Sequence, residues 1–221
     1  MDVARAAFPL GWIAITSAIA LAVLGIAILR APWRRLAASQ NLNVWCGAIV
    51  VLTVLWSVRA ELGHGVVIHL LGMAGFALMV GPWLALCGGA LVVVLCAWLH
   101  GVAPSAMPTE FLASVLVPVA VVLVVLRLTQ RFLPPNLFIY TIVAAFFGAA
   151  LGAFLAGLAG ATSLVVAGAA ATTIFDEYVP YLIFLAFGEA MLTGMALTLA
   201  VVYRPQWVAT FDDDVYLARG P

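Results

Sequence analysis

His64, His69 and His100 are the only imidazoles in a chain of 221 residues. Neutral imidazole is a strong ligand for divalent transition metals. Two of the three lie five residues apart in the run Gly63-His64-Gly65-Val66-Val67-Ile68-His69-Leu70-Leu71-Gly72. His64 stands in a glycine-flanked loop and can move, whereas His69 opens an apolar run at interfacial depth. A single interfacial histidine also serves as an ordinary hydrogen-bonded structural residue. Three at one mouth point instead to a metal site. Glu189 is the one acid deep inside an apolar run, part of the way along the last one. A carboxylate there needs a partner, because burying a bare charge is expensive. Two readings stand side by side: an ion-pathway or ligand-positioning residue, or a structural bond to a neighbouring helix, with Arg59 a partner if packing permits.

The elements that must position these groups follow from composition. The chain is 67% hydrophobic and 8% charged, and its mean hydropathy is +1.23. Soluble domains are nearer half apolar and about a quarter charged, so this is an integral membrane protein. Apolar spans cover 8–29, 44–58, 66–80, 83–99, 111–126, 137–166 and 178–203. Each crossing takes roughly 20 residues, so the shorter spans borrow from their flanks. The expectation is an all-α polytopic membrane bundle of about seven helices, forming one integral membrane domain over 1–221. Gly81-Pro82 separates the third and fourth spans, as a tight turn rather than a kink.

The first span is too long for a signal h-region, and Arg30, Arg34 and Arg35 follow it. That order predicts a retained helix with its N-terminus outside and, after seven crossings, a cytoplasmic C-terminus. On this topology Arg30, Arg34, Arg35, Arg127, Arg131, Arg204 and Arg219 fall inside, against Arg5 and Arg59 outside. The positive-inside bias agrees with this orientation, and the expected location is the inner (plasma) membrane, as a multi-pass protein. All three histidines reach the outer side, together with Glu61, Glu110, Asp176 and Glu177. The asymmetry suggests capture from outside and docking below, with Arg127, Arg131 and Arg204 as docking charges.

Several classes are excluded or weakened. Net charge is zero, which argues against a nucleic-acid partner. All nine basic residues are arginine, so no phosphate-binding Gly-x-x-x-x-Gly-Lys loop exists and any ATP is hydrolysed by another chain. No Gly-x-Ser-x-Gly or His-Glu-x-x-His run supports an enzyme. Cys46, Cys87 and Cys96 match no zinc or redox spacing and read as small buried hydrophobes. The steps Gly148–Gly152 and Gly157–Gly160 let helix backbones approach closely, within the monomer or at a partner seam.

His69-Leu70-Leu71-Gly72 followed by Gly81-Pro82-Trp83 resembles the His-Leu-Leu-Gly…Gly-Pro-Trp segment of the CbiM/NikM proteins. Those are the substrate-binding membrane components of cobalt and nickel energy-coupling-factor transporters. Gly188-Glu189-Ala190, with Tyr203-Arg204-Pro205-Gln206-Trp207, resembles the family's last helix, and Phe8-Pro9-Leu10 is similar to its N-terminal segment. The resemblance implies a metal held by the N-terminal amine, here of Met1, by a histidine directly after it, and by His69. That second place is Asp2 here, a carboxylate that favours harder ions. His64 or His100 could replace the missing nitrogen.

The leading expectation is therefore a substrate-capture permease for a cobalt- or nickel-like ion. It has no intrinsic cofactor; its partners are the bilayer, a coupling transmembrane subunit and a cytoplasmic ATPase. A second is a non-transporting subunit or assembly factor that kept the fold without the metal site, which Asp2 favours. A third is a haem protein using His69 and His100.

Overall fold

The structure is a computed structural model and describes residues 8–61, 67–212 and 216. Six helices are long and apolar enough to cross a membrane. They are α1 (Leu10–Arg30), α2 (Ser39–Ser57), α4 (Pro82–His100), α5 (Met107–Phe132), α6 (Leu137–Val166) and α7 (Val179–Tyr203). Between α2 and α4 lies a much shorter helix, α3 (Met73–Val80). A two-residue pairing, Ala60–Glu61 against Val67–Ile68, precedes it. With those exceptions and a few turns the described chain is helical, as its composition predicts.

The expected seventh spanning helix over 66–80 is corrected. Eight residues of α3 rise only about 12 Å, well short of a hydrocarbon core of about 30 Å. The described chain ahead of it, residues 67–72, is not helical. Hydropathy gives no warning of this, because Ile68-His69-Leu70-Leu71 is as apolar as a helix would be. Non-helical backbone at this depth is tolerated only under a protein cover. Here Trp56 of α2 donates its indole N–H to the Leu71 carbonyl at 2.8 Å, and α7 supplies the remaining cover.

Gly81 makes the turn between α3 and α4. Its φ of +86° suits glycine alone, and Pro82 then opens α4 at the first helical position. The sequence expectation of a turn rather than a kink therefore holds.

Which ends lie together is fixed by hydrogen bonds. At one end His100 meets Ser57 at 3.2 Å, joining α4 to α2. At this same end Trp12 donates to Thr109 at 3.1 Å, and Phe8 packs among Val102, Ala106 and Ala167. At the other end the segment after α7 folds back on α3, Ala209 N–H reaching the Met79 carbonyl at 2.7 Å. Tyr140 and Thr210 pair there at 2.7 Å, and Gln130 donates to Tyr216 at 3.0 Å. Phe8 and the described C-terminal residues thus occupy opposite ends, as an odd number of crossings requires. Of the seven described arginines, Arg30, Arg34, Arg35, Arg127, Arg131 and Arg204 sit at the second end, and Arg59 at the first.

Small residues let α6 nestle between α5 and α7. A Cβ on Gly152 would lie 3.3 Å from the Pro118 backbone, and one on Gly157 would collide with Leu182. The glycine steps on α6 are therefore seams within the monomer. Large apolar side chains such as Leu128, Phe138, Phe184, Phe187 and Leu199 face outward, forming the belt expected of a lipid-facing surface. Cys87 and Cys96 are buried as expected, but Cys46 is exposed on α2.

Candidate metal site

His69 lies in the non-helical half of the broken crossing and is only 6% exposed. Its Nδ1 is 3.2 Å from the Leu70 carbonyl. A carbonyl oxygen only accepts, so Nδ1 carries the proton and Nε2 keeps its lone pair. Trp56 packs against the ring with centroids 5.0 Å apart, fixing its plane. The result is an oriented imidazole with one nitrogen anchored and the other available, which is how metal-binding histidines are held.

Just beyond it the backbone is held by Glu189. The α7 carboxylate accepts the amide of Leu71 and, at 2.9 and 3.0 Å, that of Gly72, which opens α3. Gly72 has φ +65°, so these two consecutive amides turn toward one side chain. The carboxylate therefore neutralises the positive end of the α3 dipole. Without it, that partial charge would oppose any cation near His69. Gly188 lets the contact close: a Cβ there would lie 3.2 Å from Leu70. Of the two readings of Glu189, the structural bond is what these contacts describe. Its partners are backbone amides, and Arg59 donates instead to the Trp56 carbonyl at 3.1 Å.

The other side of His69 faces a cavity of about 10 Å³ lined by Ile68, Leu71, Ser114, Ala156, Gly157, Tyr178 and Leu185. Ser114 Oγ donates to Glu110 at 2.6 Å. Ser114 and Tyr178 went unremarked in the sequence. The available signal was modest: Ser114 interrupts an apolar run, and Tyr178 is the first residue of the last one.

Of the three histidines expected at one mouth, His69 and His100 lie at the same end of the molecule, and His64 lies outside the described residues. His100 is exposed at the end of α4, beside Ser57. Among the described residues, no three of His, Cys, Asp and Glu come together as a metal-binding group. Met1, Asp2 and His64, the remaining candidate ligands, lie outside the described residues, as do Arg5 and Arg219. Arg127, Arg131 and Arg204 are exposed at the arginine-rich end, Arg131 lying 5.4 Å over the Phe132 ring.

Fold and site define a polytopic helical membrane protein with a single oriented imidazole, among its described residues, buried at a broken crossing. The chain belongs to the CbiM family, the cobalt uptake substrate-specific transmembrane region, which it matches over residues 3–207. Two solved structures share the fold. A truncated transition metal transporter aligns with TM-score 0.73 at 17% identity, covering 93% of this chain and 99% of its own. A transition metal transporter aligns with TM-score 0.72 at 18% identity, covering 100% of both. No curated protein matches the chain by sequence.

Proposed function

We propose that this chain is the substrate-capture component of an energy-coupling-factor transporter and that its substrate is a divalent transition-metal ion of the cobalt or nickel kind. The observation that carries the reading is His69, buried, packed at a tilt against Trp56 and anchored through Nδ1, so that Nε2 is left to meet a metal. Family membership and the fold shared with two transition metal transporters support it. The chain performs no catalysis and carries no resident cofactor; the ion is cargo.

On this reading the histidine end faces outward, where the ion is taken up, and the arginine-rich end faces the cytoplasm of a cell whose plasma membrane holds the chain. Arg127, Arg131 and Arg204 would there meet a coupling membrane subunit driven by a separate ATPase. One imidazole is too few for tight binding, and Met1, Asp2, His64 and His100 are the candidates for further donors.

The test is metal content of the purified protein by elemental mass spectrometry after loading with cobalt, nickel, copper or zinc, beside His69→Ala. A stoichiometric ion lost in the variant is the expected result. No bound ion in either protein would support the second reading, a fold retained without its metal site. The carboxylate at Asp2 is what favours that alternative.

A further inference from the structure

We propose that Tyr178 and Ser114 form the far wall of the capture site, where their hydroxyl oxygens hold a water molecule that stays on the captured ion. The inference rests on the capture reading above and specifies the form of its substrate, a partly hydrated divalent cation.

Three observations lead there. Tyr178 is 2% exposed, and among the described residues its hydroxyl has no hydrogen-bond partner. A phenol buried in that state is rare, because leaving a polar group unsatisfied away from water is costly. The cavity that Tyr178, Ser114 and His69 line measures about 10 Å³, roughly one water sphere. Finally, both hydroxyl residues sit on widened helical turns, Ser114 within Phe111–Leu116 and Tyr178 within Ile174–Tyr178. Such π turns displace side chains from regular helical positions and cluster at functional sites. Two of them, on different helices, bring a hydroxyl to the same small space.

The donor inventory selects the occupant. The Ser114 proton is committed to the Glu110 carboxylate, so Ser114 Oγ can only accept from the cavity. Tyr178 Oη can accept as well. A water bound to a cation through its oxygen has two hydrogens to give and no need to receive. One hydroxyl that can only accept and one that can accept, lining the same cavity as one imidazole, match an ion with one retained water. Glu110, hydrogen-bonded to Ser114, adds negative charge behind the wall and favours a cation in front of it.

The experiment is cobalt and nickel binding by calorimetry in detergent, for the wild type, Tyr178→Phe, Ser114→Ala and His69→Ala. It is accompanied by the cobalt absorption spectrum and by the melting midpoint of each protein without metal. Tyr178→Phe removes the hydroxyl and leaves the ring packing. We expect it to weaken binding about 10-fold or more, the usual effect of removing an outer partner of a metal site. The cobalt bands should shift, and the metal-free midpoint should stay level or rise. Wild-type affinity in Tyr178→Phe, with binding lost in His69→Ala, would overturn this inference and leave the capture reading intact. If no protein binds either ion, both fail together. Should Tyr178→Phe prove unstable, Ser114→Ala decides: weakened binding supports the wall and unchanged binding removes it.

Discussion

Replacing Glu189 by glutamine exchanges one carboxylate oxygen for an NH₂ group, and the new donor would face the Gly72 amide, which is also a donor. Leaving buried polar groups mispaired costs about 2 kcal/mol. We therefore expect Glu189→Gln to lower the melting midpoint of the metal-free protein, with Glu189→Ala lower still. An unchanged midpoint together with lost metal binding would mean that the carboxylate meets the ion rather than the backbone. Glu189 was conspicuous in the sequence as an acid in an apolar run, but its partners were not. Backbone amides carry no residue signature, so the plausible partner on paper was the nearest cation, Arg59. His69 was legible because histidine is scarce here. Ser114 and Tyr178 were not, since only the folded chain brings them to one cavity.

At the scale of the element, the broken crossing depends on Gly72. Its φ of +65° excludes a comfortable side chain, and a Cβ would lie 2.6 Å from Leu52. Left-handed backbone alone costs a non-glycine residue about 1–2 kcal/mol. Gly72→Ala should therefore reduce both stability and metal binding, read by thermal denaturation and calorimetry; wild-type values for both would show that the turn adapts. The α5–α6 seam offers a second check. Gly152 approaches the Pro118 backbone, so Gly152→Leu should destabilise the isolated monomer, whereas a seam used only by a partner would leave the monomer's melting unchanged. Helix positions, the Gly81-Pro82 turn and the close glycine steps were legible because each has a compositional cause. The half-length of α3 was not, because hydropathy records what a segment is made of and not whether its backbone is helical or extended.

For the whole molecule, seven crossings and the gathering of six described arginines at one end support a definite orientation. In a background without Cys46, Cys87 and Cys96, Ala170→Cys should react with an impermeant maleimide added to intact cells. Ala38→Cys, at the arginine-rich end, should react only after the membrane is opened. Both residues are exposed, so reversed labelling would invert the molecule and separate the histidine end from the side of uptake.

The bond between Glu189 and Gly72 joins residues 117 positions apart. A ribosome delivers α3 long before it delivers α7, so the broken crossing enters the membrane with its opening amides unserved. Those groups have no carboxylate to meet until the final helix is threaded beside them. Completion of the broken crossing accordingly waits for α7, and any nascent chain halted before Glu189 leaves the backbone beside His69 without its carboxylate.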